Sequence, residues 1–173
     1  MSVKIYVARA MSGRIKEEVV KEAKRDKAFL EKCGFIVLDP VTAEGVKASK
    51  QVLQATKVQM DTFWKRDKEM IRQANVVFIM SPDKASLGCI REYGYARYHL
   101  WKKTITIFPE GKLPPEGAVA YYEDDYVTDS LIDAIGETLR THGTVLKRLK
   151  WRVALYQRCW LKAMKHRIQE WVK

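Results

Sequence analysis

Val76-Val77-Phe78-Ile79-Met80 is an unbroken apolar run in a chain of which 31% of residues are charged. A half-exposed strand alternates apolar and polar positions. A strand with no polar position is one covered on both faces, as in the interior of a parallel sheet. The flanks agree with that reading. Upstream, Phe63, Trp64, Asp67, Ile71 and Ala74 recur at helical spacing across residues 61–74, with Asp61 as the expected N-cap. Downstream, Ser81 to Gly88 contains Pro82 and Gly88 and reads as a loop, after which residues 89–101 resume helical character.

Outward from this core the same alternation repeats. Lys4-Ile5-Tyr6-Val7-Ala8 reads as a buried strand, and Arg9 to Arg14 as a turn. Ile15, Val19, Ala23, Ala28 and Leu30 mark an amphipathic helix over residues 15–33, stopped by Gly34. Phe35-Ile36-Val37-Leu38 is a second strand closed by Asp39-Pro40, and Thr104-Ile105-Thr106-Ile107-Phe108 a fourth. Residues 41–57 fit either a loop or a helix. A weaker fifth strand falls at Ala118–Tyr122 or at Tyr126-Val127, and residues 129–141 form a last helix. This order predicts an α/β domain with a mostly parallel sheet. Such sheets bind ligands beyond the carboxyl ends of their strands. The segments 9–14, 39–45 and 81–88 are therefore the ones to inspect.

Length and composition narrow the classes of function. The chain has 173 residues, 47% of them hydrophobic, enough for one core but with no apolar run long enough to cross a bilayer. Met1-Ser2-Val3-Lys4 leads directly into a strand rather than a signal peptide, so a cytoplasmic location is expected. Cys33, Cys89 and Cys159 are odd in number and widely spaced, which argues against a disulfide framework. His99, His142 and His166 do not cluster with acids at ligand spacing, so no metal and no cofactor are expected.

The net charge of +11 is uneven. Residues 140–173 carry ten lysines and arginines against one acid, Glu170, while the rest of the chain is nearly neutral. Leu146, Leu149, Val153, Tyr156, Trp160, Met164, Ile168 and Trp171 follow helical spacing. The expected organisation is an α/β domain over 1–142 and a basic amphipathic helix over 143–173. Three roles fit residues 144–173: packing on the chain's own domain or a partner subunit, lying on an anionic membrane surface, or contacting nucleic-acid phosphates.

Three features converge on the carboxyl edge of the expected sheet. Tyr6 lies in the first strand and is followed by Arg9-Ala10-Met11-Ser12-Gly13-Arg14. Glycine admits close backbone approach, a helix start presents free N–H groups, and arginines add charge-assisted contacts to phosphate. Asp67 lies among Phe63, Trp64 and Ile71, where a raised pKa suits an acid. Glu92 falls about one turn into the helix after the third strand, where the dipole is expected to keep it ionised as a nucleophile requires.

These stretches together resemble the nucleoside 2-deoxyribosyltransferase superfamily, including its 2′-deoxynucleoside 5′-phosphate N-hydrolase branch. The resemblance runs through Ile5-Tyr6-Val7-Ala8 with Ser12-Gly13-Arg14, through Asp67 to Val77, and through Ser86-Leu87-Gly88 with Glu92-Tyr93-Gly94-Tyr95-Ala96. It implies a flavodoxin-like fold and cleavage of the N-glycosidic bond of nucleosides or their 5′-monophosphates. It also implies Glu92 as nucleophile, Tyr6 orienting it, Asp67 handling the proton of the leaving base, and Asp83 as a second acidic position. Arg9, Ser12, Gly13, Arg14, Ser86 and Gly88 would then line the substrate site, with Ser86 and the Ser12-Gly13 turn on the phosphate. Arg9 and Ala10 stand where the hydrolase branch carries small or hydroxyl residues.

The partners expected are a nucleotide or nucleoside and further copies of the chain in a homo-oligomer. The competing reading is a non-catalytic nucleotide- or nucleic-acid-binding module on the same fold, using the basic C-terminal helix. A phosphoacceptor receiver is disfavoured, because it needs paired acids where this chain has Arg9.

Overall fold

The computed structural model describes residues 2–11, 14–43, 57–80, 86–108 and 126–142. Five parallel strands, β1 (Lys4–Arg9), β2 (Ile36–Leu38), β3 (Val76–Met80), β4 (Lys103–Ile107) and β5 (Tyr126–Thr128), form one sheet in the order β2-β1-β3-β4-β5. This is the flavodoxin-like order. The helices are α1 (Lys16–Lys32), α2 (Lys57–Gln73), α3 (Leu87–Gly94) and α4 (Leu131–His142). The chain steps from β1 to β2, then crosses back over β1 to lay down β3. That reversal puts the switch point, and hence the ligand crevice, between the carboxyl ends of β1 and β3.

The β3 run is as apolar in place as in sequence: Val76 to Ile79 are buried, and Ile5 to Ala8 of β1 beside it are buried too. Alternation along the strands sorts their side chains to two sides. Tyr6, Ala8, Val77 and Ile79 join Ile71 of α2, Ala74 just after it, and Cys89 and Tyr93 of α3 in one core. Arg9, of the opposite parity to Tyr6, reaches Asp26 of α1. Helices therefore cover both faces.

The connections show why the elements end where they do. Helix α1 closes in a Schellman motif: Gly34 N–H donates to Glu31 O at 2.8 Å and Phe35 N–H to Leu30 O at 3.2 Å, with Gly34 at φ +87°. Asp39 caps a helical turn that begins at Pro40, its Oδ1 accepting from Val41 N–H at 2.9 Å. Helix α2 begins at Lys57, four residues before the expected start, so Asp61 lies inside it and is exposed rather than capping it. Its C-terminal carbonyls are met by Lys102, whose Nζ donates to Arg72 O at 3.0 Å and to Ala74 O at 2.8 Å. Asn75 and Lys4 exchange two bonds of 2.8 Å, one through the Asn75 side chain. Helix α3 does not end at Gly94 but widens into a π-helical segment, Tyr95–His99, followed by Trp101 at φ +52°.

Of the two sites expected for the fifth strand, Tyr126–Thr128 is the one paired to β4, and Ala118–Tyr122 lies outside the described residues. The chain divides into two compact units, Met1–Glu137 and Thr138–Lys173. The basic segment 144–173 lies outside the described residues. Among those described, no helix is long and apolar enough to cross a membrane.

Candidate active site

Helix α2 aligns Asp67, Ile71 and Ala74 along the stripe that faces the sheet. Ile71 and Ala74 are fully buried, so Asp67 is carried one turn further along a dehydrating surface. In α3, Cys89 and Tyr93 anchor the helix to the same core, and Glu92 stands on the flank of that stripe, partly accessible. Tyr6, from the middle of β1, is completely buried in the same cluster. Three distant stretches of sequence thus bring a phenol and two carboxyls together.

The electrostatics show how close the association is. Burial pushes the Glu92 carboxyl up to about 8, and the charge of Asp67 adds to the rise. Tyr6 opposes it by hydrogen bonding to the ionised form, and the more distant Asp39 and Arg66 act in opposite directions. The helix dipole was expected to keep Glu92 ionised. Dehydration and a neighbouring carboxylate outweigh it, because Glu92 is already in the second turn of a short helix, where the terminal field has faded. Asp67 is also raised, by burial, although Arg66 grips its Oδ1 through Nε at 3.1 Å and Nη2 at 2.7 Å. Burial and the charges of Glu92 and Asp67 hold the Tyr6 phenol well above its ordinary value, so it stays a neutral donor. Among the described residues its hydroxyl has no partner at full hydrogen-bond geometry, so the interaction with Glu92 is a loose one. The phenol and the carboxyl are near neighbours whose bond is not drawn tight.

With Glu92 raised to about 8 beside Asp67, the pair keeps one proton near neutrality. Such a pair supplies an acid and a carboxylate nucleophile in one place. Cys89 does not compete for that role. Burial and the Glu92 charge push its thiol up to about 12, against a hydrogen bond from Ser86, so it stays neutral.

Of the remaining expected site residues, Ser86, Gly88 and Arg14 are described, in different states. Ser86 is buried immediately before α3, and its carbonyl accepts from Ile90 N–H at 2.9 Å. Gly88 is exposed in the first turn, where an added Cβ would meet Ser86 Oγ at 3.6 Å, an ordinary contact. Arg14 donates to both carboxylate oxygens of Glu22 at 2.8 Å. Ser12, Gly13 and Asp83 lie outside the described residues.

Arg9 is engaged in a way the sequence did not reveal. Its side chain is only 3% exposed, with Nη1 3.0 Å from Asp26 and Nε 3.3 Å from Asp39. These pairs tie the end of β1 to α1 and to the segment after β2. Nη2 alone is buried without a partner among the described residues, so any role toward substrate runs through that nitrogen. Arg9→Met is expected to destabilise the protein by about 3 kcal/mol in urea denaturation, because it removes the cation from buried Asp39 and leaves Asp26 only the exposed Arg25. No residue pattern marked Asp26 and Asp39 as its partners, since both contacts are tertiary. Among the described residues no group of His, Cys, Asp and Glu has the geometry to hold a metal ion.

Residues 3–105 match a family model described as Domain of unknown function (DUF4406). The chain belongs to the DUF4406 family. The matched span carries Tyr6, Asp67 and Glu92, so the candidate site lies wholly within the DUF4406 domain. No curated protein matches the chain. Among solved structures it resembles the 2-deoxyribosyltransferase of the psychrotolerant bacterium Bacillus psychrosaccharolyticus, at 20% identity and a TM-score of 0.56 over 76% of this chain and 90% of that one. The DUF4406 domain therefore shares the fold of that enzyme. The CMP N-glycosidase BcmB of Clostridium botulinum also aligns, at 17% identity over 80% of this chain and 99% of that one, with a TM-score of 0.47 that carries no argument.

Proposed function

We propose that this chain cleaves the N-glycosidic bond of nucleosides or nucleoside 5′-monophosphates, with Glu92 as the nucleophile. The observation that carries the reading is the meeting of Glu92, Asp67 and the Tyr6 phenol at the carboxyl edge of the sheet, with Glu92 dehydrated yet accessible. The shared fold with a 2-deoxyribosyltransferase supports it, as does the motif resemblance through Tyr6, Asp67 and Glu92.

In the reactive arrangement the shared proton resides on Asp67 and Glu92 is a carboxylate. Departure of the base builds positive charge on the anomeric carbon and negative charge on the base nitrogen. Glu92 bonds to that carbon as the C–N bond breaks, and Asp67 gives its proton to the base. Water, deprotonated by Asp67, then hydrolyses the glycosyl ester; a second base in place of water would make the reaction a transfer. This is the two-carboxylate logic of retaining glycoside hydrolysis. The Tyr6 hydroxyl orients Glu92, and the loose contact seen here is of the kind that tightens with the reacting partner in place. Arg66 holds Asp67 in position.

Hydrolysis is favoured over transfer, and 5′-monophosphates over nucleosides, on the strength of the Ser12-Gly13-Arg14 turn and Ser86. Incubation with a panel of ribo- and deoxyribonucleosides and their 5′-monophosphates, with free base resolved by chromatography, tests the assignment. Base release without an added acceptor identifies a hydrolase, and dependence on a second base a transferase. No release from any member of the panel, with or without acceptor, would leave the binding-module reading in its place.

A further inference from the structure

Helix α2 and the α3–π segment also carry a run of interleaved aromatic and cationic side chains. Trp64 and Tyr95 pack edge to face with centroids 5.6 Å apart, and Tyr95 and His99 follow at 5.7 Å. Cations interleave with these rings. Arg91 lies 4.2 Å from the Trp64 centroid, Lys68 5.6 Å from the same ring, and Arg72 5.8 Å from Tyr95. Arg72 and Arg91 are both exposed. Near the end of the segment Tyr98 is 53% and Trp101 85% exposed.

Trp101 is the most telling of these. It is the one non-glycine residue at positive φ among those described, a conformation that is strained for a bulky side chain. The residue that follows is held: Lys102 N–H donates to Ala96 O at 3.0 Å, and the Lys102 ammonium closes the end of α2. A strained backbone thus keeps a large apolar ring in water, at the end of the segment that carries Tyr95 and Tyr98. Strain retained together with exposure points to a binding role.

We infer that this aromatic and cationic ledge binds single-stranded nucleic acid. Phosphates pair with Lys68, Arg72 and Arg91, and unpaired bases stack on the exposed rings of Tyr98 and Trp101. The charge selects a polyanion. The exposed rings select one with free aromatic faces, which a duplex conceals and an acidic peptide lacks. Such binding is independent of whether the chain cleaves nucleosides.

Fluorescence anisotropy with a labelled dT20 oligonucleotide and the full chain tests it. Trp101→Asn is the decisive variant, because asparagine accepts a positive φ more readily than tryptophan and the fold is kept while the ring is lost. Loss of one stacked base is expected to weaken binding at least 5-fold. The double variant Arg72→Gln/Arg91→Gln is expected to weaken binding further and to flatten the dependence of affinity on salt by the equivalent of about two released counterions. Tight binding that neither variant alters would overturn the proposal, as would no binding at all. So would equal displacement by polyglutamate and by unlabelled dT20, which would mark the ledge as a site for an acidic protein.

Discussion

Glu92→Gln is expected to lower base release by roughly 10⁴-fold or more, the scale on which removing a covalent nucleophile acts. The same variant is expected to be more stable than the parent. In the folded chain the Glu92 carboxyl is raised from 4.5 to about 8, so the folded state holds its proton where the unfolded state has released it. Stability therefore falls as pH rises from about 4.5 to about 8, and the loss persists above. Glutamine never ionises. The gap in stability should open in that window and level off beyond it, at about 2–3 kcal/mol once residual solvent access to Glu92 is allowed for. Thermal melts at pH 5 and pH 9 measure it. Loss of activity with unchanged melts at both would show that Glu92 is not the dehydrated group described above.

The second large effect concerns Asp67 and the shape of the pH profile. If the carboxyl pair works with one proton, kcat/KM must fall at both ends, and the alkaline limb marks loss of the pair's last proton. Asp67→Asn removes the proton donor and should cost about 10²–10⁴ in rate with poor leaving groups. It also removes the negative charge that lifts Glu92. The alkaline limb should vanish, leaving a single ascending limb with an apparent pKa below 8. Tyr6→Phe acts in the other direction. It deletes the hydrogen bond that lowers Glu92, so the alkaline limb should move upward. An unchanged profile in both variants would separate these groups from the rate-determining protonation.

The parts of the molecule legible in its sequence were those governed by local pattern and burial. Val76–Met80 was readable as a strand from its composition alone, and it forms the centre of the sheet with the same boundaries. Gly34 marked the end of α1 because only a left-handed residue completes that motif. The start of α2 was misplaced because Lys57 to Met60 lack a breaker or a capping residue, so the first good cap, Asp61, drew the boundary inward. The fifth strand was ambiguous because it is a three-residue edge strand, partly exposed, with little apolar signal. The π-helical turn leaves no mark that periodicity can detect. At the site, residue types and motif order brought Tyr6, Asp67 and Glu92 into consideration, but their ionisation could not be read. It depends on how much water each has lost and on which charges lie across the crevice, and both are properties of the assembled fold. The Arg9 contacts with Asp26 and Asp39 were hidden for the same reason.

The sheet order carries a consequence for how the chain is made. β1 lies between β2 and β3, and Lys4 bonds to Asn75 across 71 positions of sequence. During synthesis the first strand emerges early yet lacks its second neighbour until residues 76–80 have left the ribosome. Until then Ile5 to Ala8 present a bare apolar edge of the kind that seeks other chains. A nascent polypeptide that has not yet released residue 80 cannot flank β1 on both sides, so for this protein the hazardous interval is set by translation speed.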